Sequence, residues 1–132
     1  MPTADDDHLV EEWRALQGTY FRTSGALERR LEADFGIGLS EFETLDLTDG
    51  LMNTTEGSPC AMKDLREVSC LTQSALSRVV DRLEKAGLIE RSICDQDRRA
   101  MFVRLTSAGV DLHRDAQRVH RELLRDNLAA TS

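Results

Sequence analysis

The stretch TQSALSRVVDRLEKAG (Thr72–Gly87) is the most regular in the chain. Leu76, Val79, Val80, Leu83 and Ala86 recur at helical spacing and make one apolar stripe. Gln73, Ser74, Ser77, Arg78, Asp81, Arg82 and Lys85 cover the opposite side. Thr72 stands where an N-cap accepts a hydrogen bond from the first turn, and Gly87 stands at C′, where helices stop. Two settings suit such a helix. One is a solvated surface helix carrying i,i+4 ion pairs, which Asp81 with Lys85 satisfies and Arg78 with Arg82 does not. The other is a helix laid in a DNA major groove about 12 Å wide, which needs one supported stripe and hydrogen-bonding side chains opposite it.

The flanks favour the second setting. Upstream, residues 61–67 (AMKDLRE) read as a short helix with Met62 and Leu65 inward, and VSCL makes a tight turn. Downstream, LIERSI and AMFVRLT read as two β-strands joined by CDQDRR. In the second of these, Met101, Val103 and Leu105 alternate with Phe102, Arg104 and Thr106. Short helix, turn, helix, then hairpin is the order of a winged helix-turn-helix. Thr72, Gln73, Ser74 and Ser77 fall at the N-terminal end of the second helix, where base edges and phosphates are approached and the helix dipole favours anions. Arg78, Arg82 and Lys85 are further candidates for DNA contact.

The remaining segments are helical. Leu9, Trp13, Leu16, Tyr20, Leu27, Leu31 and Phe35 mark one face of a long helix over about 8–34, following a polar leader. FGIGLS breaks it. Ser40 with Glu43 has the spacing of a capping box for a second helix, with Phe42, Leu45 and Leu51 inward and Asp46, Thr48 and Asp49 unusually polar for a buried element. Thr106 caps a last helix over about 107–129. It bears two apolar rows: Leu112, Ala116, Val119 and Leu123, and Val110, His120, Leu124 and Leu128. The expected fold is mainly α with a small β-hairpin wing: a winged helix-turn-helix lobe over 39–105, with the recognition helix at 72–86 and the wing at 88–105, flanked by helices over 1–36 and 107–132.

A chain of 132 residues, 40% hydrophobic and 31% charged, is one soluble domain's worth. Seventeen basic against twenty-four acidic side chains argue against nucleic acid only on average. Residues 1–62 hold four basic and thirteen acidic side chains, whereas residues 63–104 hold nine and seven, so the candidate DNA-binding segment is the basic one. The acidic N-terminus lacks the build of a secretory signal, and no run approaches the roughly 20 apolar residues that span a bilayer. A cytoplasmic protein without membrane contact is expected. Cys60, Cys70 and Cys94 are odd in number and widely spaced, which excludes a disulfide framework and a zinc finger. His113 and His120 are two helical turns apart, roughly 10 Å, too far to chelate one ion. No metal or cofactor is expected. Catalytic motifs are lacking too: there is no GxSxG, phosphate-cradling glycine loop or HExxH, and His8 falls in the leader.

The run from Met62 to Gly109 resembles the MarR family of bacterial transcriptional regulators. The likeness rests on Asp64 and Leu65, on SALSRVVDRLEKAGLIERS (Ser74–Ser92) and on DQDRRAMFVRLTSAG (Asp95–Gly109). It implies that Ser74, Ser77, Arg78 and Arg82 face the major groove. It also implies that Arg99, with Arg98 beside it, enters the adjacent minor groove while Asp97 braces the wing's turn. A narrow minor groove concentrates negative potential and so suits arginine. The family binds DNA as two-fold dimers whose terminal helices interlock, consistent with a long first helix and two apolar rows on the last. Such a homodimer sets its recognition helices about 34 Å apart and expects a pseudo-palindromic operator in double-stranded DNA.

The resemblance further implies a repressor released by a small-molecule effector, phenolic or anionic, held between the dimerisation helices and the DNA-binding lobe. Trp13, Tyr20 and Phe21 are the candidate lining, with core and interface packing as their other reading. Some relatives sense oxidants through cysteine, for which Cys70 in the turn and Cys94 at the wing base are candidates, although a cysteine is as readily a small buried hydrophobe. A winged helix used as a protein–protein adaptor is the rival from another class. It would bind no duplex at any salt concentration, whereas a DNA binder loses affinity steeply with salt.

Overall fold

The computed structural model describes residues 3–93 and 100–128. Through them run α1 (Ala4–Phe35), α2 (Leu39–Asn53), β1 (Cys60–Ala61), α3 (Met62–Val68), α4 (Gln73–Lys85), β2 (Ile89–Ile93), β3 (Met101–Leu105) and α5 (Ser107–Leu128). The helices α2, α3 and α4 and the sheet share one core, in which Phe42, Leu45, Leu65, Leu76, Val80, Leu83, Ile89 and Val103 are fully buried.

α1 begins earlier than its apolar periodicity indicates. Thr3 Oγ1 accepts from Asp6 N at 3.2 Å and Asp6 Oδ2 accepts from Thr3 N at 3.0 Å, a reciprocal box. Asp5, Asp6 and Asp7 lie in the first turn, where acids complement the helix dipole. From Ala4 onward the expected leader, His8 included, is therefore helical. The apolar face of α1 is split: Leu27 and Leu31 are buried, while Leu9, Trp13, Leu16 and Tyr20 are exposed.

The capping box expected at Ser40 does not form. The N-cap is Gly38, which makes no side-chain cap bond. The first-turn donor is satisfied from another helix, with Glu28 Oε2 accepting from Leu39 N at 3.1 Å. The polarity of α2 also has local causes. Buried Thr44 and Thr48 donate their hydroxyls to the carbonyls of Ser40 and Thr44, at 2.8 and 2.7 Å, which satisfies them within the helix.

The wing is a three-stranded antiparallel sheet of order β1-β3-β2, not a bare hairpin. The pairs Cys60↔Val103 and Ala61↔Phe102 dock β1, which at two residues is too short to display alternation in sequence. β2 and β3 pair from Ile89↔Leu105 to Ile93↔Met101.

The sheet joins α5 through one close junction. Gly87 adopts φ +76° and ends the α4 turn. Thr106 N donates to Leu88 O at 3.0 Å; its hydroxyl donates to Gly87 O at 2.6 Å and accepts from Gly109 N at 3.0 Å. A Cβ on Gly109 would collide with the Leu88 carbonyl oxygen, a backbone atom that cannot swing aside. Gly109→Ala is therefore expected to cost roughly 1–3 kcal/mol, measured as a lowered urea midpoint; an unchanged midpoint would refute this close approach.

The buried face of α5 consists of Gly109, His113, Ala116 and His120. Of the two expected apolar rows, Ala116 and His120 are buried, Leu112, Val119, Leu123 and Leu124 are half-buried, and Val110 and Leu128 are exposed. His113, assigned to neither row, is as buried as its partner.

Candidate nucleic-acid interface

α3 and α4 are joined through Ser69–Thr72. Ser69 N donates to Leu65 O at 3.0 Å, closing α3, and Ser69 Oγ accepts from Leu71 N at 3.2 Å. Thr72 then caps α4, its Oγ1 accepting from Ala75 N at 3.1 Å. Leu76, Val79, Val80 and Leu83 fix one side of α4 in the core; Ala86, counted with them from spacing, is exposed as the C-cap. Thr72, Gln73, Ser74, Ser77, Arg78 and Arg82 are all exposed, so the residues singled out for base and phosphate contact share the solvent side.

Arg82 also faces a carboxylate, Glu41 Oε1 of α2, at 3.6 Å. Arg78 and Lys85 have no ion-pair partner among the described residues. Sequence reasoning passed over Arg91 on β2, which reaches Asp81 and Glu84 of α4 at 2.6 and 2.8 Å. A strand arginine separated from these acids by a glycine turn offers no periodic signal. Cys94, Asp97, Arg98 and Arg99, expected at the wing, lie outside the described residues.

Behind this surface, α2 is pinned to α5 by polar contacts. His113 Nε2 meets Asp46 Oδ1 at 2.7 Å, and Arg121 donates to both oxygens of Asp46 at 3.1 Å. Burial alone would raise the Asp46 carboxyl, but these bonds outweigh it and hold the group below its ordinary value of 3.8. His120 Nε2 faces Glu43 Oε1 at 3.1 Å and its Nδ1 faces Arg121 Nη1 at 2.8 Å. A guanidinium can only donate, so Nδ1 accepts and Nε2–H donates to Glu43. Both imidazoles lie against Phe42, with ring centroids 5.8 and 4.6 Å away. The two histidines thus take carboxylate partners separately, and the described residues hold no group of three or more potential metal ligands.

A cavity of about 350 Å³ lies between α1, α2 and the turn before α4, with Tyr20, Leu39, Glu43, Thr44, Leu47 and Cys70 in its wall. Of the three aromatics expected to line such a cleft, Tyr20 does so. Trp13 and Phe21 instead border a shallow groove on α1, together with Tyr20, and Tyr20 meets Phe21 edge-on at 5.6 Å. Cys70 is exposed and Cys60 buried; burial pushes the Cys60 thiol up.

A helix-turn-helix whose second helix is followed by a small antiparallel sheet, between two long helices, defines the winged helix-turn-helix class. Residues 50–101 match the model of the MarR family. Over 94% of its length the chain is 28% identical to the HTH-type transcriptional regulator PecS of Dickeya dadantii, covering 81% of that protein. Its fold is similar to that of AbsC, a MarR family transcriptional regulator from Streptomyces coelicolor, with a TM-score of 0.81 and 26% identity over 100% of this chain and 84% of that one. It is also similar to Sco3205 of the same organism, a MarR family regulator solved in complex with DNA, with a TM-score of 0.78 and 26% identity over 98% of this chain and 77% of that one. The chain thus shares a matching segment and its winged-helix fold with the MarR family of DNA-binding transcriptional regulators.

Proposed function

We propose that the chain acts in the cytoplasm as a homodimeric repressor that reads a pseudo-palindromic operator and is released by a small-molecule effector. The observation carrying the DNA reading is α4 itself, whose exposed Gln73, Ser74, Ser77, Arg78 and Arg82 stand over a buried stripe. In this reading Thr72 and the serines approach phosphates and base edges at the positive end of the helix, and Arg78 and Arg82 supply cationic contacts. Arg98 and Arg99 serve the minor groove, with Asp97 orienting their turn. The exposed apolar half of α1, from Leu9 to Phe21, supports a second copy as its cover, since one small domain leaves it in water.

The cavity beside Tyr20 supports an effector of modest size. Glu43 is the charged group of its wall, which favours an uncharged phenolic molecule over an anion. Exposed Cys70 on the same wall supports a second reading, in which oxidation in the turn displaces α4. Peroxide that weakens DNA binding by the parent and not by Cys70→Ser would favour that reading; equal sensitivity of the two would end it.

Anisotropy titration against duplexes from the DNA flanking the gene tests the main reading. Affinity should peak on an inverted repeat and fall steeply with added salt as phosphate counterions are displaced; a protein adaptor would bind no duplex at any salt concentration. Arg99→Ala is expected to weaken operator binding by about 1–3 kcal/mol with the fold and dimer intact, and unchanged affinity would remove Arg99 from the interface.

A further inference from the structure

α4 carries its own electrostatic opposition. Arg78, Arg82 and Lys85 are interleaved with Asp81 and Glu84. A carboxylate within a Debye length of a phosphate subtracts from what each cation adds. One side chain from outside the helix meets both acids. Arg91 of β2 brings Nη2 to 2.6 Å from Asp81 Oδ1 and 2.8 Å from Glu84 Oε1. Its Nε donates to the same Glu84 oxygen at 3.3 Å, and its backbone N–H donates to Glu84 Oε2, also at 3.3 Å. The hydrogen bond from Arg91 outweighs the small opposing effect of burial and lowers the Glu84 carboxyl from its ordinary value. The hydrogen bond from Glu84 is likewise the main cause that raises the Arg91 guanidinium. With 28% of its side chain exposed, Arg91 is less open to solvent than either acid, and its donors are turned toward α4.

We propose that Arg91 is a positioning residue that serves DNA binding without touching DNA: it holds Asp81 and Glu84 and offsets one of their two charges, so that α4, with three cations against two acids, presents a more strongly cationic face to the duplex. The planar fork suits two carboxylates at once, a geometry a lysine ammonium does not reproduce. The proposal rests on α4 being the helix that meets DNA.

The test measures affinity for a 30-base-pair duplex of arbitrary sequence at low salt. That probe needs no known operator and reads the electrostatic part of binding. Arg78→Ala serves as the control: if it leaves affinity unchanged, α4 does not face the duplex, and this proposal falls with that reading. If Arg78→Ala weakens binding, Arg91→Gln should also do so, by about tenfold or more. The decisive variant is Arg91→Gln combined with Asp81→Asn and Glu84→Gln, which has lost both the clamp and the carboxylates it holds. It should return to within about threefold of the parent. Asp81→Asn with Glu84→Gln in the presence of Arg91 should bind at least as tightly as the parent. A triple variant as weak as Arg91→Gln alone would overturn the proposal, since Arg91 would then itself be needed at the DNA. A double variant weaker than the parent would overturn it too. The double and triple variants leave no helix carboxylate unpaired, so the comparison survives even if Arg91→Gln fails to fold, which circular dichroism reports.

Discussion

Asp46→Ala should destabilise the protein by about 3 kcal/mol in urea denaturation near pH 7. Asp46 accepts from His113 Nε2 at 2.7 Å and from both terminal nitrogens of Arg121. The His113 side chain is 5% exposed, so truncation strands a buried N–H that water cannot reach. Its other ring nitrogen is 3.9 Å from Asp49, too far for replacement. Arg121 is more than a third exposed and recovers water, so most of the loss comes from the histidine bond. The sign of the pH dependence follows from the depressed Asp46 carboxyl. Because its folded value lies below 3.8, its contribution is full above the unfolded carboxylate range, declines as pH falls below it, and vanishes below the folded value. The variant should therefore lose part of the parent's fall in stability on acidification below about pH 4. Equal midpoints for the two proteins at pH 7 would show that this junction does not hold α2 to α5.

Leu16→Glu should convert the proposed dimer to a monomer and weaken binding to the proposed inverted-repeat duplex by about a hundredfold or more. Leu16 is 59% exposed in the single chain, so a glutamate there costs the isolated protomer little. Under a second copy the same carboxylate would be buried without a partner, at a cost of several kcal/mol. Two linked half-site contacts gain from effective concentration, and a monomer forfeits that gain while keeping its own α4. Sedimentation equilibrium and anisotropy on full and half operators separate the two effects. A dimeric Leu16→Glu protein with parental affinity would move the association surface elsewhere.

The elements visible in the sequence are those whose causes are local. The stripe of α4, its Thr72 cap and its Gly87 stop lie within sixteen consecutive residues, and the structure has all three except that Ala86, at the end of the stripe, is exposed. The start of α2 departs from its local spacing because its donor is satisfied by Glu28, eleven positions away on another helix. The polar residues of α2 had no reading in isolation, since Asp46 meets His113 across sixty-seven positions and no pattern within one element encodes that pairing. β1 was missed because two residues cannot show a period. At the candidate interface, the exposed residues of α4 were legible from spacing, whereas Arg91 was not, because its role depends on how a strand folds back beside a helix.

The junction at Thr106 gives the wing a property that can be engineered. β2 and β3 leave it in fixed register, with their bases held by the bonds to Gly87 and Leu88. The pair behaves as a beam clamped at one end. Lengthening each arm by one residue would carry whatever the beam bears outward by about 3.3 Å, close to the roughly 3.4 Å step between successive bases. An even number of added residues preserves which side chains face the core, and an odd number reverses them. In the proposed DNA reading, reach along a duplex would thus be adjustable in increments of about two base pairs without disturbing the clamp, which makes wing length a natural variable for tuning operator span.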